Sequence, residues 1–138
     1  MPNIDFGQVV TKEMAQDVAK QRLVQQLAEL RWCKENEGVH VTNSAVFQSD
    51  RTTRTELASL LTNIALGTIE TPVTWKAISG WEMLAEDQMR QVLWLINAHV
   101  QSCFAAEREV SKRSDSGAVF ESADISVAFE AALKDARI

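Results

Sequence analysis

The side chains in this chain that are best suited to bind a metal ion or to act in catalysis are two histidines and two cysteines: His40, His99, Cys33 and Cys103. A zinc ion needs three or four such ligands, and neither cysteine belongs to a CxxC pair. A zinc site would therefore require all four side chains to converge, and we expect no metal ion and no cofactor. The pattern favours two small buried thiols in a reducing compartment, with a disulfide between them left open.

His99 follows Ile96 by three residues and precedes Cys103 by four, which places it on the apolar face of a predicted helix. A general base needs a pKa near the working pH and a partner that orients it, but the other histidine, His40, lies on a predicted strand. We therefore interpret His99 as a core or interface histidine in preference to a catalytic one. The sequence contains no GxSxG, HExxH, phosphate-binding glycine loop or nucleotide fingerprint. We expect no catalytic residues and no enzymatic activity.

Asp50 and Arg51 stand at the predicted start of a helix. An arginine at a helix N-terminus can hold an anionic group. The competing interpretation is helix capping, because Ser49 and Asp50 are good N-cap residues and Thr53 has Glu56 three residues later, the spacing of a capping box. We favour capping and keep Asp50 and Arg51 as candidate partner-binding residues.

A predicted β-hairpin carries Trp75 and Trp81, with Lys76 between them. Tryptophan is typical of interaction hot spots, so an exposed pair would suit a protein-binding surface. The alternative is that both side chains pack the hairpin onto the helices. We expect at least two of the four tryptophans to lie in the core, and we take Trp75, Lys76 and Trp81 as candidate partner-binding residues.

Three stretches predict the helices that position these residues. Thr11–Asn36 is rich in good helix formers, has its clear apolar stripe in its second half, and is followed by Gly38. The second helix has the strongest periodicity and is closed by Gly67; its stripe is Leu57, Leu60, Leu61, Ile64 and Ala65. The third, Ala85 to about Lys112, would be roughly 40 Å long. That length predicts that one end projects from the core or meets a neighbour.

Two short β-rich segments lie between the helices, around turn pairs at 43–44 and 79–80. A polar linker at 111–117 then leads to Ser122–Arg137, whose weak apolar stripe is compatible with a short helix. Because helices and hairpins interleave without a strand, helix, strand rhythm, we predict an α+β fold. Its two hairpins form a small antiparallel sheet packed on three main helices, with a mostly helical bundle as the alternative.

The length, composition and net charge of the chain limit the classes of protein to which it can belong. The 138 residues are 46% hydrophobic, enough for one ordinary core. We divide them into the first part of a long helix as a candidate oligomer or partner contact (1–29), an α+β domain (30–110), and a polar linker with a short C-terminal helix (111–138). The net charge of −5 without a basic run disfavours nucleic-acid binding. We also expect no membrane association, no secretory signal and maturation in a cytoplasm.

Several separated motifs occur in a fixed order: Arg31-Trp32, Gly38 to Val41, Asp50-Arg51, Val73 to Lys76 with Gly80, and His99 to Phe104. Together they resemble an uncharacterised domain of bacteriophage tail-fibre-associated and tail-fibre assembly proteins, over roughly Leu30 to Glu109. Ala85 departs from the expected Ser or Thr cap of the last helix. The resemblance implies a tail protein that binds a tail-fibre or baseplate protein, in the host cytoplasm during assembly or within the virion tail.

Three functional hypotheses follow. The first is a small factor that helps a tail fibre to assemble or attach, and the second is a permanent structural subunit of the tail or baseplate. If the first or third helix overhangs the core, its apolar stripe would be a partner surface or an oligomer seam, so we also expect a homo-oligomer. Because tail fibres are usually trimers, a symmetric trimer is one hypothesis. The third is a small hydrolase or nucleotide-binding protein, which would need a pocket that brings His99 or His40 within hydrogen-bond reach of an acid.

Overall fold

The computed structural model describes residues 6–41, 44–115 and 122–137. Within these ranges the α+β class and the long third helix are confirmed. The elements in chain order are α1 (Phe6–Glu35), β1 (Val39–His40), β2 (Val46–Phe47), α2 (Arg51–Ala65), β3 (Val73–Ala77), β4 (Gly80–Leu84), α3 (Glu86–Asp115) and α4 (Ser122–Ala136). Asn43 of the first predicted turn and residues 116–117 of the predicted linker lie outside the described residues.

α3 is the central helix of the fold, since its residues contribute to two separate hydrophobic clusters. Its N-terminal half packs with α2 and the hairpins; the buried members are Ala45, Phe47, Leu57, Ala77, Leu84, Met89, Val92, Ile96 and Val100. Its C-terminal half packs with α1 and α4; the buried members are Leu27, Cys103, Ala106, Val110, Ile125, Phe129, Ala132 and Leu133. α1 and α4 cover this helix as far as the fully buried Val110, so its C-terminal half does not project from the core. Contact of one end with a neighbour, the alternative, stays a prediction.

α4 is a complete amphipathic helix despite its weak signal in the sequence. Ile125, Phe129, Ala132 and Leu133 follow one another at helical spacing and are all buried. Val127 lies off this stripe and is exposed. The second cluster therefore depends on a segment that the sequence only weakly marks as helical.

The two hairpins do not merge into the single small sheet expected from the sequence. β1 pairs with β2, and β3 pairs with β4, as two separate antiparallel sheets. The turn of the second hairpin lies against β2: Val46 N donates to Ser79 Oγ at 2.9 Å, and Val46 O accepts from Ile78 N at 2.9 Å. Because this turn occupies both backbone groups of Val46, no strand of the second hairpin pairs there.

Gly38 shows why α1 stops where it does. Its φ of 100° lies in the left-handed region, and a Cβ at this position would be 3.0 Å from both Phe47 O and the Ile78 Cδ1 atom. A glycine is therefore needed at position 38, where the chain leaves α1 and passes close to Phe47 and Ile78. No helix in the described ranges is both long and apolar enough to cross a membrane.

Candidate protein-binding site

The C-terminal end of α1 is the point where three elements converge. The last carbonyl groups of a helix have no partner within the helix and must find one elsewhere. Lys34 O accepts a 2.6 Å hydrogen bond from His99 Nε2 on α3. Glu35 O accepts a 2.5 Å hydrogen bond from the hydroxyl of Ser49, just before α2. Both α3 and the segment leading to α2 are thereby attached to the end of α1.

His99 has a defined tautomer in this arrangement. A carbonyl oxygen can only accept, so Nε2 carries the hydrogen; Nδ1 lies 3.5 Å from Arg137 Nη2, which can only donate. Cys103 Sγ is 3.8 Å from Nε2. Within the described part of the chain, no carboxylate forms a hydrogen bond or ion pair with His99. His99 thus joins α3 to the C-terminal end of α1.

A nearly buried ionic cluster lies beside this anchor. The Glu35 carboxylate is 3.0 Å from Arg31 Nη1 and 3.4 Å from Arg54 Nη2. Arg31 also reaches Glu107 of α3 at 3.3 Å, and its guanidinium lies 4.6 Å from the centre of the Phe104 ring. The cluster therefore ties α1, α2 and α3 together through charge-assisted contacts.

Asp50 and Arg51 begin α2 as predicted. The predicted capping box of Thr53 and Glu56 is wrong, because the N-cap residue is Asp50 and Thr53 lies inside the helix. Asp50 is the N-cap residue, yet its side chain caps no backbone N–H and instead accepts from the hydroxyl of Thr53. Its carbonyl accepts from Arg54 Nε at 3.4 Å. Asp50 is consequently engaged within its own helix, whereas Arg51 is exposed.

A surface groove of about 850 Å³ follows the end of α1. Its lining includes Lys34, His40, Trp94, His99 and Arg137, so the two histidines share one surface. Burial lowers the pKa of Lys34, but hydrogen bonding and attraction to nearby carboxylates raise that pKa above 10.5 overall. Among the residues that the structure describes, no group of three or more His, Cys, Asp or Glu is placed to hold a metal ion.

The second hairpin presents an exposed aromatic face to solvent. We call Thr74, Lys76, Trp81 and Met83 the outer hairpin face, because the strand register places Thr74 opposite Met83 and Lys76 opposite Trp81. Trp81 is 69% exposed, and Lys76 Nζ lies 5.6 Å from its ring centre, a cation–π geometry. Met83 is also largely exposed.

Trp75 lies on the opposite side of this hairpin from Lys76 and Trp81. It packs against the first cluster, and its buried indole N–H has no hydrogen-bond acceptor among the described residues. The structure therefore brings together two of the three residues predicted in this hairpin and separates the third. Successive residues of a strand point to opposite faces, which accounts for the separation.

The expectation that at least two tryptophans lie in the core is wrong. Trp32, Trp81 and Trp94 are between 60% and 69% exposed, and they belong to three different elements. Only Trp75 packs against a core cluster. Large exposed aromatic side chains are therefore a general property of this surface.

The cysteines do not meet, and only one of them is buried. Both thiols are free; Cys33 is exposed and Cys103 is buried. The expectation of two buried thiols is thus correct for Cys103 and wrong for Cys33. Burial raises the pKa of Cys103 to about 11, while nearby Arg137 partly opposes that rise.

These features define a small α+β domain organised around one long helix, with its polar clusters used to join helices. A family described as a domain of unknown function, DUF4376, matches residues 18–133. Because the match covers most of the chain, the protein belongs to this family. No curated protein and no solved structure matches it. The match extends into α4 as far as Leu133. The three-part division of the chain stays a prediction.

Proposed function

We propose that this chain is a non-enzymatic bacteriophage tail protein that binds a tail-fibre protein and assists its assembly or attachment. The observation that carries the binding role is the outer hairpin face, where Trp81 and Met83 are exposed beside Lys76. The phage context rests on the resemblance of the separated motifs between Arg31 and Phe104. The two arguments are independent, because the first uses geometry and the second uses sequence.

The energetics favour a protein partner at the outer hairpin face. Full burial of a large apolar side chain stabilises a complex by about 1.5–3 kcal/mol, and tryptophan is enriched among hot-spot residues. Lys76 adds a positive charge that an acidic group of the partner can pair with while Trp81 is buried. Ile78, also largely exposed, extends the apolar surface at the turn.

The polar residues of the groove support a binding role over a catalytic one. His99 bonds to a backbone carbonyl, and Lys34 pairs with Glu130 at 3.2 Å and Glu37 at 3.5 Å. These groups are engaged in joining α1, α3 and α4. The contacts of His99 and Lys34 therefore favour a structural role for these two polar groups within the domain.

The test is co-expression of the full chain with the tail-fibre protein of the same phage, followed by co-purification and mass determination. We expect a stable complex of defined stoichiometry. Trp81→Ala should raise its Kd roughly 30-fold, equivalent to about 2 kcal/mol. Trp94→Ala is the matched control, since Trp94 is equally exposed but lies on α3.

Three outcomes would contradict parts of this proposal. Failure to bind a soluble, folded fibre protein would count against the fibre as partner. A complex weakened by Trp94→Ala and not by Trp81→Ala would move the interface to the groove. Measurable hydrolase activity that is lost in His99→Gln would overturn the non-enzymatic assignment.

Mass spectrometry of purified phage particles distinguishes a released assembly factor from a permanent subunit of the tail. An assembly factor that is released should be absent from mature particles. A permanent subunit of the tail or baseplate should be present in a fixed ratio to the fibre protein. Either result is compatible with binding through Trp81, so this measurement decides the role and not the surface.

A further inference from the structure

α1 carries apolar residues on two opposite faces. The inner face packs on the second cluster through Leu23, Leu27 and Leu30. On the opposite side is what we call the outer stripe: Met14, Val18, Gln21, Gln25, Ala28 and Trp32. A surface helix that packs once against its own domain normally presents a polar opposite face. The outer stripe is therefore in excess of what the domain needs.

The N-terminal part of α1 extends beyond the body of the protein. All residues from 11 to 22 are exposed, including Met14 at 59% and Val18 at 43%. Lys20 Nζ lies 3.6 Å from Asp115, the last residue of α3, and so marks the level at which α3 ends. A helical segment without tertiary packing is marginal in water at lengths below about 12–15 residues. A partner along this segment would supply the missing packing.

The spacing of the outer stripe identifies the kind of partner. Its members alternate by four and three residues from Met14 to Trp32, which is the spacing of a and d positions in a coiled coil, and four of the six are apolar. Met14, Gln21 and Ala28 occupy d positions. Val18, Gln25 and Trp32 occupy a positions, and one of the three, Val18, is of the β-branched type that at a favours two strands. We propose that α1 forms a parallel coiled coil with α1 of a second copy of this chain.

Charges beside the stripe agree with the parallel orientation. Asp17 occupies a g position and Arg22 the following e position, which face each other between the two helices of a parallel pair. Neither residue forms an ion pair with another described residue. In an antiparallel pair in which Val18 packs against Ala28 of the other copy, Arg22 would instead lie near its own counterpart. The polar residues Gln21 and Gln25 would fix the register at some cost in stability.

The first experiment is analytical ultracentrifugation of the full chain over a wide concentration range. We expect a species of twice 15.4 kDa that dissociates on dilution. Val18→Glu places two unpaired charges in the seam and should raise the dimer Kd at least about tenfold. Ala19→Glu is the matched control, because Ala19 is exposed on the same helix but lies outside the outer stripe.

A charge swap tests the orientation. Asp17→Arg should weaken the dimer by placing like charges opposite Arg22, and Asp17→Arg combined with Arg22→Asp should restore it. A chain that remains a monomer at all concentrations would overturn the proposal. So would a dimer that Val18→Glu leaves unchanged, and absence of rescue by the double variant would overturn the parallel arrangement. The inference rests on α1 alone and does not depend on the binding of a tail fibre.

Discussion

The Ser49 side chain caps the C-terminal end of α1 by bonding to Glu35, although the two residues are fourteen positions apart in the sequence. The Ser49 hydroxyl donates to Glu35 O at 2.5 Å and accepts from Gly38 N at 3.0 Å. The side chain is completely buried. One serine thus satisfies two backbone groups at a helix end and fixes the entry to α2, a role different from the N-cap expected from its position.

Replacement of Ser49 by alanine should destabilise the fold. Ser49→Ala leaves the Glu35 carbonyl and the Gly38 amide without this partner, and an unsatisfied buried polar group costs about 1–3 kcal/mol. Urea unfolding monitored by circular dichroism measures the change in the free energy of unfolding. Ser59→Ala, at an exposed position of α2, is the control and should change it by less than about 0.5 kcal/mol. Equal effects of both variants would refute the role assigned to Ser49.

Loss of the charge on Glu35 should also destabilise the protein, because this carboxylate joins α1 to α2. Glu35→Gln weakens its contacts with Arg31 and Arg54, and hydrogen bonds to charged groups contribute about 1.5–3 kcal/mol each. Glu86→Gln is the control: it breaks an exposed pair with Arg90, and such pairs contribute about 0–1 kcal/mol. The measurement is chemical unfolding at low and high salt. A Glu35 effect no larger than that of Glu86 would show that the cluster does not hold the helices together.

The two cysteines should differ in reactivity. Cys33 is exposed and should react with a thiol reagent in the native protein, whereas Cys103 should react only after unfolding. Absorbance at neutral pH with an aromatic disulfide reagent would give one equivalent without urea and two equivalents with urea. Rapid modification of both thiols in the native state would contradict the burial of Cys103.

The raised pKa of Cys103 predicts a pH dependence of stability. Its pKa in the folded protein is about 11, above the ordinary 9.0, so the folded state keeps its proton over a range where the unfolded state loses it. The contribution to stability is fully present below pH 9 and is lost as the pH rises toward 11. The decrease should be smaller in Cys103→Ala than in the natural chain, when both are unfolded in urea across this range. Parallel curves for the two proteins would exclude the thiol as the cause.

Part of the candidate binding surface was predictable from local sequence pattern. The hairpin with Trp75, Lys76 and Trp81 follows from its β-forming residues and turn, and the start of α2 at Arg51 follows from the preceding polar residues. Which tryptophan faces solvent depends on the packing of the hairpin against α2 and α3. A strand with large residues on both faces does not indicate by itself which face is inside.

The sequence alone determined the α+β class, the approximate helices and the stops at Gly38 and Gly67, because helical periodicity and glycine conformation are local properties. The tertiary structure decided that Ser49 and His99 close α1, that Arg31 meets Glu107, and that α4 completes the second cluster. These contacts join residues that are far apart in the chain; Arg31 and Glu107, for example, are 76 positions apart. They depend on how helices pack in three dimensions, and no spacing along the chain encodes them.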